Sequence, residues 1–222
     1  MKVVIFGATG MIGQGVLIEC IESPIVNSIV VVGRTATGIT NNKVTEIVHD
    51  DLFDLSAHRE ALTGMDACFF CLGVSAIGMT EDAYTRITYD LTIAVAEALR
   101  EWNPAIVFCY VSGAGTDGSA RGRVMWARVK GKTENRLLEM PFAASYMFRP
   151  GYIQPLRGIK SKTRAYRLIY ALLSPLYPIF RLLFSSGVTD TQRVGQAMIR
   201  AVAKKEEKRV LEAKDINRLA GE

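Results

Sequence analysis

Short apolar runs alternate with segments of mixed polarity along almost the whole chain. VVIF (3–6), SIVVVG (28–33), KVTEIVHD (43–50), DACFFCLG (66–73), AIVFCYVS (105–112) and SYMFRP (145–150) are each bounded by turn-forming residues. Runs this short and this apolar predict strands of a parallel sheet covered on both faces. Between them, Met11–Glu22 and Tyr84–Trp102 carry helical periodicity. In the second segment Ile87, Leu91, Ala94, Val95 and Ala98 recur at three- and four-residue steps and are expected to share one face. Strand–helix alternation predicts right-handed βαβ units and an α/β fold with an open, doubly wound parallel sheet. No internal repeat, low-complexity tract or interior linker interrupts the sequence, so one domain over residues 1–222 is expected. A small C-terminal helical cover would complete it, with a lid or substrate region at 151–190. The charge run Lys204–Arg209 predicts a solvated helix end or turn.

Composition narrows the function classes. A chain of 222 residues can bury a sizeable core, and 49% hydrophobic with 22% charged residues is ordinary for a globular protein. Gly 19 and Pro 7 exclude collagen-like and disordered classes. Four cysteines do not make a disulfide framework, and two histidines leave little for a metal site. The net charge of +5 leaves open nucleic acid, an anionic membrane surface or a phosphate-bearing ligand. The apolar run at the N-terminus ends at Gly7, short for a signal-peptide core of about 7–15 residues. The uncharged stretch between Arg167 and Arg181 contains Pro175 and Pro178 and falls short of the ~20 residues of a membrane span. A soluble, cytoplasmic protein is expected.

The junction FGATGMIGQGV carries the most chemistry. Gly7, Gly10 and Gly13 form a G-x-x-G-x-x-G pattern directly after the first strand and at the start of a helix. Such glycines allow a tight turn, close approach of backbone to a pyrophosphate, and close helix–strand packing; the helix N-terminus then stabilises the anion. Gly7, Thr9, Gly10, Met11 and Ile12 are the candidate contacts. No Gly-Lys-Ser/Thr follows, which argues against a Walker loop.

Cofactor preference is read where the second strand ends. About twenty residues past the glycine loop, an NAD site carries a carboxylate for the ribose 2′-hydroxyl. Here the segment is VVGRTATG, with Arg34 and nearby hydroxyls but no carboxylate. A guanidinium can hold a 2′-phosphate in a two-bonded fork, so NADP(H) is expected over NAD(H); a solvated arginine is the alternative. Asp51, after the third strand, is placed to accept from the adenine amino group, with Asp50 or a simple turn role competing. Leu72 and Gly73, at the end of the fourth strand, would let backbone approach the cofactor.

With GATGMIG, CLGVS, YVSGAG, WARVKGKTE and FRPGYI in this order, the chain resembles the short-chain dehydrogenase/reductase superfamily. It is most similar to the atypical branch that holds the Tat-interacting protein and epimerase-like NAD(P)-binding proteins. The resemblance implies a Rossmann fold, NADP(H), and a catalytic set of Ser and Tyr-x-x-x-Lys. The serine position matches Ser112, the lysine position matches Lys130, and the tyrosine position holds Trp126. In the family mechanism tyrosine exchanges a proton with the substrate oxygen, lysine lowers the tyrosine pKa and binds the nicotinamide ribose, and serine orients the carbonyl. An indole N–H donates a hydrogen bond but does not exchange a proton near neutral pH. Either another group supplies the proton, with Tyr152 and Tyr84 as candidates, or turnover is weak, or the chain binds cofactor without redox chemistry. Lys130 and Ser112 also have bland alternatives, a solvated helix lysine and a cap. Arg149-Pro150-Gly151 is expected to shape the turn beneath the nicotinamide pocket or to touch it.

Other signals carry less. In a strand, Cys68 and Cys71 point to opposite faces and cannot bridge. His49 and His58 lack neighbours at ligand spacing, so no metal is expected. Arg164, Arg167, Ser174 and Arg181 form one stripe in the otherwise apolar segment 160–186. That segment reads as a core-packing helix pair, a lid over an apolar pocket, or a weak membrane-surface or protein contact. The expectation is an NADP(H)-binding oxidoreductase-like protein acting on a small or apolar carbonyl compound. A non-catalytic NADP(H)-binding regulator is the rival, and no nucleic-acid recognition motif is present.

Overall fold

Seven parallel strands form one sheet in the computed structural model, which describes residues 1–159 and 187–221. The strands are β1 (Lys2–Phe6), β2 (Ser28–Gly33), β3 (Val44–Val48), β4 (Ala67–Phe70), β5 (Val107–Val111), β6 (Ala144–Arg149) and, after two short strands described below, β9 (Val210–Glu212). Their order is β3-β2-β1-β4-β5-β6-β9. The chain direction therefore reverses its march across the sheet between β1 and β4, the switch point beside which doubly wound sheets bind ligands. Val3 and Ile5 pack into one core layer while Val4 and Phe6 pack into the other. This is why the strands read as continuously apolar rather than alternating.

Helix α1 (Met11–Glu22) matches the expected span. The second helical segment starts earlier than its periodicity indicates, with Thr80 Oγ1 accepting the Ala83 N–H at 3.3 Å. It comprises α2 (Glu81–Thr85), a π-turn over Arg86–Asp90, and α3 (Leu91–Trp102). The buried stripe of α3 is Leu91, Thr92, Val95, Ala96 and Leu99; Ala94 and Ala98 lie at its edge. Ile87 departs from the expected face, because the π-turn places it beside the cleft at β1 and β4 rather than in the core. Helix α4 (Met125–Glu139) follows β5.

Two short strands, β7 (Tyr152–Gln154) and β8 (Val188–Asp190), pair in parallel as a separate ribbon. They occupy the described ends of the region expected to be a helical lid. Helices α5 (Thr191–Ala203) and α6 (Ala213–Gly221) provide the C-terminal cover. Helix α5 packs closely on α1 through glycines: a Cβ at Gly15 would sit 2.6 Å from the Thr191 carbonyl oxygen, and one at Gly195 would sit 2.8 Å from Glu19 Cγ. The charge run at 204–209 is a turn that leads from α5 into β9. The expected stripe of Arg164, Arg167, Ser174 and Arg181 lies outside the described residues. Among the described residues no helix is long and apolar enough to cross a membrane.

Candidate functional site

The glycine loop is built by contacts no side chain could share. Gly7 adopts φ +79°, and a Cβ there would lie 2.7 Å from the Leu72 nitrogen at the end of β4. A Cβ at Gly13 would lie 2.1 Å from the Gly7 carbonyl oxygen, so α1 leans directly on the turn. The Gly10 N–H donates to that same oxygen at 2.9 Å. Gly10 caps α1 in an extended conformation, with no side-chain cap and no acidic residue in the first turn. The first-turn N–H groups thus keep their affinity for an external anion.

This loop opens onto a cleft of about 680 Å³. Gly7, Thr9, Gly10, Arg34, Asp51, Leu72 and Gly73 all line it, so the structure brings together most of the expected cofactor set. Met11, Ile12 and Lys130 stand outside that lining, the first two in the first turn of α1, where Ile12 packs on the core. Arg34 directly follows β2, is exposed, and forms no ion pair with a described residue. Glu46 on β3 accepts instead from Thr37, through its N–H at 3.0 Å and through its hydroxyl. Asp51 Oδ1 accepts the Phe53 N–H at 3.0 Å, which fixes the start of the loop after β3. Phe53, Arg86 and Ile87 also line the cleft; Phe53 and Arg86 carry no motif, and the helical period of Ile87 points to the core instead.

The other half of the expected site lies at the carboxyl end of β5. Ser112 is 4% exposed. Its hydroxyl donates to Glu134 Oε1 at 2.5 Å and also lies 3.1 Å from the Phe148 carbonyl oxygen. Glu134, whose side chain is 1% exposed, is held by Arg149 through Nε at 3.0 Å and Nη2 at 2.5 Å. Arg149 extends the chain of contacts to Glu212 on β9 at 3.4 Å. Lys130 Nζ donates to the Ser112 carbonyl oxygen. Arg149 is therefore an internal tie between β6, α4 and β9, beyond the turn-shaping role its motif suggests. Glu134 is four residues after Lys130 on α4 and closes the segment WARVKGKTE, but neither feature marks it as buried.

Trp126 lies one turn before Lys130, and a Cβ at Gly115 would sit 3.5 Å from its indole ring. Neither tyrosine candidate lines the cleft. Tyr84 is buried, which pushes its phenol up. Tyr152 donates to Gln154 Oε1 at 2.8 Å, and burial pushes it up as well.

Burial pushes the Lys130 ammonium down to about 8, against an upward pull from Glu134. The unfolded chain, with its lysine at 10.5, therefore holds this proton more tightly than the folded chain between pH 8 and 10.5. Ionised Lys130 opposes folding below that window, and the opposition is lifted as pH rises through it. The stability difference Lys130→Met minus wild type, measured by urea unfolding, is expected to fall across the window and to be flat below it. A difference independent of pH would contradict the assignment.

All four cysteines are free; Cys68 packs in one core layer and Cys71 against the other, and burial pushes Cys71 up to about 12. The His49 and His58 rings meet edge to face at 4.8 Å. No cluster among the described residues could hold a metal ion.

Comparison with known proteins agrees with this geometry. A family model described as NAD(P)H-binding matches residues 7–146. "Protein fmp52, mitochondrial" from Emericella nidulans is 26% identical over 90% of this chain and 86% of its own length. Protein HTATIP2 from Rattus norvegicus is 28% identical over 68% of this chain and 62% of its own length. Among solved structures, a UDP-glucose 4-epimerase superposes with a TM-score of 0.68 at 15% identity, covering 98% of this chain and 80% of that one. That likeness is one of fold.

Proposed function

This chain belongs to the NAD(P)H-binding family, within the atypical short-chain dehydrogenase/reductase superfamily, and from that membership we propose that it is an NADP(H)-dependent oxidoreductase for a small or apolar carbonyl compound. The observation that carries this reading is Arg34, exposed and without an ion pair to a described residue, in the same cleft as the glycine loop. In the proposed site the backbone of Gly7–Gly10 and the open end of α1 hold the pyrophosphate, and Arg34 holds the 2′-phosphate. Asp51 accepts from the adenine amino group, and Lys130 holds the nicotinamide ribose. A bound reduced nicotinamide supplies hydride. Ser112, with its hydroxyl given to Glu134, fixes Lys130 through its carbonyl oxygen. It orients a substrate carbonyl only if that hydroxyl is released. Exposed Val74, Ile77 and Val124, on the loops after β4 and before α4, favour an apolar substrate over a sugar. Residues 1–222 act as one unit in this reading, in a cytoplasmic setting. The fungal relative's name, by contrast, places that protein in mitochondria.

A second reading, a cofactor-binding regulator without turnover, is favoured by Trp126 and by two tyrosine candidates that do not line the cleft. Loss of a positioned acid or base costs about 10²–10⁴ in rate. A panel of apolar aldehydes and ketones, followed by NADPH absorbance, separates the two readings. Slow turnover is expected, falling by about 10²-fold in Lys130→Ala if that residue positions the cofactor. If every carbonyl fails while NADPH still binds, the regulator stands.

A further inference from the structure

The helix after β4 widens where it passes the cleft. A π-turn, of a kind that is rare and often found at functional sites, spans Arg86–Asp90. It brings Arg86 and Ile87 to the cleft that the glycine loop opens onto. Arg86 is exposed and forms no ion pair with a described residue. Its guanidinium carbon instead lies 5.4 Å from the centre of the Phe53 ring. Phe53 is 41% exposed, and its backbone is anchored on Asp51. The cleft therefore holds two arginines in different settings: Arg34 stands exposed at the end of β2 with no ion pair to a described residue, whereas Arg86 rests on an aromatic face.

These settings suit different parts of a dinucleotide. A free guanidinium suits a phosphate. A guanidinium held against a ring offers its other plane to a second flat π-system, since arginine stacks on aromatic faces. Building on the reading of the cleft as a dinucleotide site, we propose that Arg86, backed by Phe53, is the wall on which the adenine ring stacks. The π-turn is the device that aims it. Adenine is common to NADPH and NADH, so Arg86 contributes equally to both and sets affinity, whereas Arg34 sets preference.

Fluorescence titrations of wild type and Arg86→Ala with NADPH and NADH, and calorimetric titrations with ADP, test this. Arg86 is exposed on its turn, so its truncation leaves the core untouched. All three ligands are expected to weaken in Arg86→Ala by the same factor, about tenfold, with the NADPH-to-NADH ratio unchanged. Unchanged affinities in a wild type that binds would overturn the inference alone. Loss confined to NADPH would also overturn it, making Arg86 a phosphate contact. A wild type that binds neither dinucleotide overturns the reading of the cleft, and the inference with it.

Discussion

Replacing Glu134 by alanine is expected to remove about 3–5 kcal/mol of stability, the cost typical of stripping one partner from a buried ion pair. The carboxylate is 1% exposed and takes contacts from the Ser112 hydroxyl and two Arg149 nitrogens. Its removal leaves a largely buried guanidinium whose remaining ion-pair partner among the described residues is Glu212 at 3.4 Å. The Ser112 hydroxyl loses its nearer acceptor as well and keeps only the Phe148 carbonyl oxygen at 3.1 Å among the described residues. Glu134→Gln keeps the volume and one acceptor oxygen but not the charge, so it should fall between alanine and wild type. Urea unfolding of wild type, both variants, Arg149→Met and the double variant Glu134→Ala/Arg149→Met gives the coupling directly. The double variant should cost less than the sum of its singles, because neither charge is then left alone. Costs below ~1 kcal/mol for Glu134→Ala would mean that the pair is replaceable by water, as exposed pairs are. The same substitution should lower the Lys130 pKa further, since Glu134 is the group that pulls it up.

Local features of this fold are legible in the sequence, and long-range ones are not. Strand β2 and helix α1 fall on their expected residues because a bounded apolar run and a glycine-punctuated helix start are local signals. The glycine loop was legible for the same reason: Gly7 and Gly13 answer to contacts within a few residues and at the neighbouring strand end. The opposed placement of Cys68 and Cys71 followed from strand geometry. The π-turn was not legible, since one additional residue in a turn alters no residue type. Strands β7, β8 and β9 have three residues each, too few for a periodic pattern to register. Glu134 was hidden because an acid on a helix reads as a solvated face. Its burial is created by β5 and β6, whose ends bring Ser112 and Arg149 to it from 22 and 15 residues away. Arg86 was hidden likewise, as its partner Phe53 follows a different strand.

The second large effect concerns Arg34. A charge-assisted, two-bonded contact to a phosphate contributes about 1.5–3 kcal/mol, so Arg34→Ala should weaken NADPH by about 10- to 150-fold and leave NADH unchanged. Stability should hardly change, because Arg34 is exposed and forms no ion pair with a described residue. Glu46 cannot substitute as a ribose ligand without releasing Thr37. An equilibrium fluorescence titration of wild type and Arg34→Ala with both dinucleotides tests the account most directly. It predicts that wild type binds NADPH more tightly than NADH and that the variant binds the two alike. Equal affinities in wild type, or a preference that survives the substitution, would contradict it.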